Sequence, residues 1–406
     1  MILLAKVIAI VLLMLVLIRL KVDLGLILAL DSVLTAVLFK LGFRDFLANV
    51  WSALKAEETL TLIGVIVLVL YLGQYLQVGG HFRNMVDALK NLVRDPRLIL
   101  AIPSAFIGLL PMTAGAMMGA PIVEEAARRW NLSPAWKTFF NYWFRHIWEY
   151  SWPLYMNVIL AAAIFRIPVK RVCFVQFPFT VVAASAGLIV LFRNVPFLPP
   201  ESAPQKRRPR DVVRVFWSIW PILLTIILIF GFKLNMLLAL AIASLLTQVF
   251  AKMSPRARWE IFRHSLSPKI ILLTATIMVF KRTLEASGVL DAVVRAFPPH
   301  GAMAYLLLFV APFAVALLTG VNQAYVAITF PLFLPIIGAG QPDMVLLLFA
   351  YVSGFCGILL SPAHLCFALT ADYFKAEMHD VYKILAFPVA VVFGTALFAL
   401  VVLRIL

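Results

Sequence analysis

Charge is what this chain has least of. Asp, Glu, Lys and Arg together make up 13% of its 406 residues, about half the share found in a soluble domain. Mean hydropathy is +1.00, and 63% of the residues are apolar. No soluble core can hide that much apolar surface. A soluble enzyme, a nucleic-acid binder and a secreted scaffold are therefore excluded, and an all-α polytopic membrane protein is expected. Cysteine is scarce as well. Cys173, Cys356 and Cys366 are scattered and match no disulfide or metal spacing. No cofactor motif is present. Apart from His146 beside Glu149, no acid–base or nucleophile–base pair can be picked out, so enzyme activity is not expected.

Long apolar runs are plentiful. They cover residues 2–20, 24–41, 59–78, 136–165, 172–193, 212–231, 233–251, 269–284, 343–374 and 382–403, and a span needs about 20 residues. The first run lacks a small-residue cleavage site and leads straight into the second, so it reads as a span rather than a signal peptide. Residues 98–127 and 300–336 differ. They are broken by Pro111-Met112-Thr113-Ala114-Gly115 and by Thr319-Gly320-Val321-Asn322-Gln323. Limbs of about a dozen residues, rising ~1.5 Å each, cannot cross a hydrocarbon core ~30 Å thick. A re-entrant hairpin is expected at each place, with a single kinked span as the alternative.

The two halves share a plan. Pro103 pairs with Pro312, Pro121 with Pro331, Pro153 with Pro362 and Pro178 with Pro388, always 209 or 210 residues apart. Repeats over 1–198 and 209–406 follow, joined by a basic linker at 199–208. The first holds scaffold spans within 1–78, an arm at 80–96, a hairpin at 98–127, a broken span at 136–165 and a span at 172–193. The second holds scaffold spans within 212–284, an arm at 288–297, a hairpin at 300–336, a broken span at 343–374 and a span at 382–403. Both arms are short and amphipathic. Five spans and one hairpin per repeat make an odd number of crossings, so the second repeat is inverted. With the linker in the cytoplasm, 22 of the 35 Lys and Arg fall inside and 11 outside, with Lys6 and Arg145 within spans. That bias supports the scheme for a multi-pass protein of the inner (plasma) membrane. The net charge of +16 then serves mainly to orient the chain against anionic membrane lipid.

The chemistry concentrates in the fourth span. Arg145 and Glu149 are spaced i, i+4, so one helix face is expected to bring them together, with His146 beside them. Ionisable groups inside a membrane are costly and point to function. Arg145 is expected to face an anionic solute; Glu149 and His146 are candidates for a coupling proton. Pro153 and Pro362 should each break their span, because proline removes an i to i−4 bond. Broken spans expose helix ends, and those facing hairpin tips are the best sequence pointer to a transport site. The candidate site therefore comprises Thr113, Gly115, Arg145, His146, Glu149, Asn157, Thr319, Asn322, Gln323, Ser361 and His364, with Pro111, Pro153 and Pro362 as breakers. Glu124 and Glu125 are expected to pair with Arg128 and Arg129. Asp31 stands alone in the second span. No metal ligand set is expected, apart from Na+ near Thr113 and Asn322.

This plan resembles the ion transporter superfamily, which includes divalent-anion, citrate and gluconate permeases. It is most similar to that group's uncharacterised ten-span integral membrane family of bacteria and archaea. The resemblance rests on Pro111-Met112-Thr113-Ala114-Gly115-Ala116 and Ser361-Pro362-Ala363-His364-Leu365-Cys366. Where the sodium/dicarboxylate branch carries Ser-Asn-Thr tips, this chain reads Met112-Thr113-Ala114 and Val321-Asn322-Gln323. The resemblance implies an elevator-type transporter fold and a homodimer, with spans one to three and six to eight as scaffold. The function expected is secondary transport of a small anion with H+ or Na+. A cation/proton antiporter using Glu149 and Asp31 is the alternative.

Overall fold

The computed structural model describes residues 2–93, 95–109, 115–199, 209–250, 253–296 and 301–404. Among them the fold is entirely helical, with no strand. The first half runs α1 (Ile2–Arg19), α2 (Leu24–Leu38), α3 (Phe43–Lys55), α4 (Glu57–Val78), α5 (His81–Leu92), α6 (Ile102–Ile107), α7 (Ala116–Ala127), α8 (Pro134–His146), α9 (Met156–Phe165) and α10 (Val169–Asn194). The second runs α11 (Pro209–Ile226), α12 (Met236–Phe250), α13 (Pro255–Ser265), α14 (Pro268–Ser287), α15 (Val289–Ala296), α16 (Ala302–Thr319), α17 (Asn322–Ile337), α18 (Met344–Leu359), α19 (Leu365–Phe374) and α20 (Met378–Arg404). Five stretches are long and apolar enough to cross a membrane: Glu57–Val78, Val169–Asn194, Pro209–Gly231, Ala302–Thr319 and Met378–Arg404. The chain is a membrane protein. The other expected spans are present as shorter or more polar helices. Thus α2 and α12 have 15 residues each, about 22 Å of rise.

Helix ends follow local chemistry. Asp23 caps α2 by accepting from the Gly25 N–H, and Asp343 caps α18 by accepting from Val345 and Leu346. Among the basic residues in the left-handed region, two pairs end helices or turns: Lys21 (φ 58) with Lys233 (φ 58), and Arg166 (φ 57) with Lys375 (φ 56). They fall at matching places in the two halves. Asp95 caps the turn at Pro96–Leu100, accepting from the Arg97 N–H at 3.0 Å and pairing with its guanidinium at 2.7 Å. Those hydrogen bonds hold the Asp95 carboxyl below the usual carboxylate range.

Packing is reciprocal. α1 lies on α15 and α11 on α5; α2 lies on α14 and α12 on α4. α6 runs along α8 as α16 runs along α18, while α7 packs on α19 as α17 packs on α9. Thus α6 and α16 each pack along one broken helix, while α7 and α17 each touch both.

Four expectations change here. α3 and α13 were not foreseen: they are polar on one face and largely exposed, so their sequences read as loops. α16 is 18 residues long, more than the dozen expected of a hairpin limb, because Pro312 is accommodated within it. Lys281, counted with the 11 basic residues outside, is not exposed there. It lies buried in α14, where its Nζ donates to the Ala163 carbonyl at 3.3 Å, so that bond replaces water. Glu124 pairs with Lys137 of α8 at 2.8 Å, a partner brought by packing rather than by the neighbouring arginines.

Candidate functional site

The two helix breaks lie against each other. α8 starts with Pro134 at its first turn and runs buried through Asn141-Tyr142-Trp143-Phe144-Arg145-His146. It stops at His146, and residues 147–155 pass as turns to α9, with Pro153 among them. α18 stops at Leu359, and residues 360–364, including Pro362, lead to α19. Pro111 and Thr113 lie outside the described residues. Gly115 precedes α7 and is buried, and it is not part of the cavity described below.

The early end of α8 overturns the expected i, i+4 relation of Arg145 and Glu149: Glu149 sits in the turn, beyond the helix. Arg145 is 2% exposed, and its Nη1 donates to the Tyr155 hydroxyl at 3.0 Å. That hydroxyl in turn donates to the Gly108 carbonyl at 2.6 Å. Glu149 is 3% exposed and accepts a hydrogen bond from Asn322 Nδ2, at the start of α17. Its carbonyl accepts from Tyr351 at 2.7 Å and from Asn157 at 3.4 Å. The Asn157 and Asn322 side-chain oxygens are buried and have no hydrogen-bond partner among the described residues, so two acceptors remain beside the carboxylate.

The tip between α16 and α17 presses on the second break. Gly320 is in the left-handed region at φ 63, and a Cβ there would collide with the backbone of Ala363 and His364. Only glycine meets both demands. Ser361 strengthens the same contact: its hydroxyl donates to the Leu317 carbonyl at 2.7 Å and accepts from the Ala363 N–H at 3.2 Å. Thr319 shapes the tip, donating to the Val315 carbonyl at 2.7 Å and accepting from the Val321 N–H at 3.2 Å. His364 Nδ1 lies 2.7 Å from the Gly320 carbonyl, and its Nε2 lies 3.1 Å from His146 Nε2. In the other half, a Cβ on Gly108 would strike the Arg145 carbonyl.

Between these parts is a cavity of about 300 Å³. Its polar lining is Arg145, Glu149, Tyr155, Asn157, Asn322, Gln323, His364 and Cys366. Facing them are Ile66, Val69 and Leu70 of α4 and Ile270 of α14. The structure thus gathers six of the sequence candidates around one space: Arg145, Glu149, Asn157, Asn322, Gln323 and His364. His146 stands behind them, while Ser361 and Thr319 build the frame. Asp31 lies elsewhere, buried in α2 with neither carboxylate oxygen partnered among the described residues. Sequence reading missed Tyr155, Tyr351 and Asn141. Asn141 accepts from Ser104 at 2.9 Å and donates to the Ala116 carbonyl at 2.8 Å, tying α6 and α7 to α8. No spacing signals these links, since each joins residues far apart or across a break. His146, His364 and Cys366 bring their ligand-type atoms within 4.8 Å of one another; the imidazole nitrogens there are at hydrogen-bond separation.

The fold is shared with solved structures. One, the YdaH transporter of Alcanivorax borkumensis, overlays with a TM-score of 0.66 across 93% of this chain and 97% of that one, at 12% identity. At that identity the likeness speaks for the fold. Residues 2–405 match the family described as a protein of unknown function, DUF401, and the chain belongs to that family. No curated protein shows a significant match.

Proposed function

We propose that this chain is a secondary active transporter of a small organic or inorganic anion, coupled to H+ or Na+, in the cell's inner (plasma) membrane. The observation that carries the reading is the buried Arg145 guanidinium on a cavity enclosed by a tip and both breaks. A fork of N–H donors in a low-dielectric wall suits a carboxylate or oxyanion. The neighbouring amides of Asn157, Asn322 and Gln323 offer the neutral donors and acceptors that orient such a ligand.

The reciprocal packing and the matched left-handed lysine and arginine positions support two inverted repeats. The apolar side chains that α4 and α14 turn to the cavity, Ile66, Val69, Leu70 and Ile270, support an elevator motion. On this reading the chain is a member of the ion transporter superfamily and works as a homodimer. The neighbour's description as a transporter agrees with it. A cation/proton antiporter built on Glu149 and Asp31 fits less well, since Asp31 is not among the cavity's lining residues.

A thermal-shift screen of the detergent-purified protein tests the proposal, using small carboxylates, phosphate and other oxyanions with and without Na+. A ligand at 100 times its Kd stabilises the folded state by about 2.7 kcal/mol. One anion class should raise Tm in the wild type and not in Arg145→Ala. Silence from every anion, with a response to cations alone, contradicts it.

A further inference from the structure

Two imidazoles from opposite halves of the chain meet beside the cavity. Their Nε2 atoms are 3.1 Å apart, and both rings are buried. His146 Nδ1 lies 2.6 Å from the Tyr142 carbonyl, and His364 Nδ1 lies 2.7 Å from the Gly320 carbonyl. A carbonyl only accepts, so each Nδ1 carries a hydrogen and donates it. A neutral imidazole has one N–H. With that hydrogen committed to the backbone, each Nε2 is a bare lone pair. Two lone pairs facing each other at this distance repel. One proton between them turns the contact into an N–H···N hydrogen bond and gives the pair a single positive charge.

We propose that His146 and His364 form a proton-binding site that holds one proton between their Nε2 atoms and serves as the H+ coupling site. This rests on reading the adjoining cavity as the anion site. The charged groups around the pair act in opposite directions. Glu149 Oε1 lies 3.7 Å from His146 Nε2 and supplies the counter-charge. Cys366 of α19 lies within 4.8 Å, and Tyr142 of α8 lies tilted beside both rings, with centroids 4.5 and 5.9 Å away. Tyr382 of α20 lies behind, against Phe367. Arg145 opposes the added charge, and the Glu124–Lys137 pair belongs to the start of α8. With Glu149 ionised, Arg145, Glu149 and the pair sum to one positive charge when the proton is bound and to none when it leaves. An anion therefore binds the protonated form more tightly, and by linkage the anion holds the proton. Loss of the proton also restores repulsion between the end of α8 and His364, which holds the Gly320 tip. The same event thus loosens one break from the other.

The test is nitrogen NMR of the full-length protein in lipid nanodiscs, with ¹⁵N in its histidines. A ¹⁵N–¹⁵N coupling across a hydrogen bond singles out this pair among the six histidines. It should be present in neutral buffer and vanish on raising the pH. It should also be absent in H146Q and in H364Q, and the wild-type pH series decides the matter even if neither variant folds. Two neutral, Nδ1-protonated rings with no coupling at any pH overturn the proposal. So does equimolar Zn2+ converting both Nε2 signals to a metal-bound form in protein that showed no prior coupling. The two layers fail separately. No anion binding in the thermal-shift screen removes the coupling role while leaving the NMR signature. Anion binding without that signature removes the proton site alone.

Discussion

The two helix breaks share a frame and differ in chemistry. Each follows a buried helix, contains a proline, and leads into a ten-residue helix that ends on a left-handed basic residue. The first break and its flanks carry Arg145, His146, Glu149 and Asn157. The second carries Ser361 and His364, which hold the Gly320 tip. One break supplies charge and the other supplies closure.

The largest expected effect comes from the closing side. Gly320→Ala adds backbone strain of about 1–2 kcal/mol and a collision with Ala363 and His364. It should lower Tm strongly and abolish transport. Gly80→Ala is the control: it has φ 68 but open space around it, so only the strain remains. Equal Tm losses in the two variants, measured by thermal melts in detergent, would show that the tip does not press on the second break.

Next comes the charged side. Arg145→Ala removes the guanidinium from beside the buried Tyr155 and Glu149, and breaking buried ionic arrangements costs about 3–5 kcal/mol. Arg145→Lys should keep the fold better yet lose ligand-induced stabilisation, since an ammonium cannot reproduce the planar fork. A lysine variant that binds anions as well as the wild type would reduce Arg145 to a structural charge.

Asn322→Asp then probes the link between the two sides. It replaces the donor to Glu149 with a second acceptor, and the like charges should weaken anion binding roughly tenfold, about 1.4 kcal/mol. Asn322→Ser should weaken it less. Isothermal titration of both variants checks the order.

The smallest effect lies outside the site. Asp95 has a depressed folded-state carboxyl, so its pairing with Arg97 stabilises the protein above the unfolded pKa of about 3.9 and is lost as the pH falls through the folded value. The pair is partly exposed, so Asp95→Asn should cost no more than ~1 kcal/mol at neutral pH. Melts from neutral pH into acid should show the difference shrinking as the pH falls through the folded value. A difference that persists there would assign the effect to the cap alone.

Much of this arrangement was legible because proline and hydropathy act locally. Pro153 and Pro362 sit within the non-helical breaks, and an interrupted apolar run lies where the chain turns back at Thr319–Gln323. What escaped depends on long-range packing. Glu149 was placed on a helix face because nothing in the sequence shows that α8 stops at His146, well before Pro153. The Arg145–Tyr155–Gly108 chain and the His146–His364 contact join residues with no shared periodicity. α3 and α13 escaped for the opposite reason: each buries too little apolar surface to stand out from a loop.

The central claim is that Arg145 faces a transported anion. Its most direct test is flux of the anion chosen by thermal shift into liposomes carrying the purified protein, under an imposed pH or Na+ gradient. Gradient-driven uptake by the wild type, lost in a folded Arg145→Lys, is the predicted result. No flux under either gradient, or undiminished flux in the variant, would contradict it.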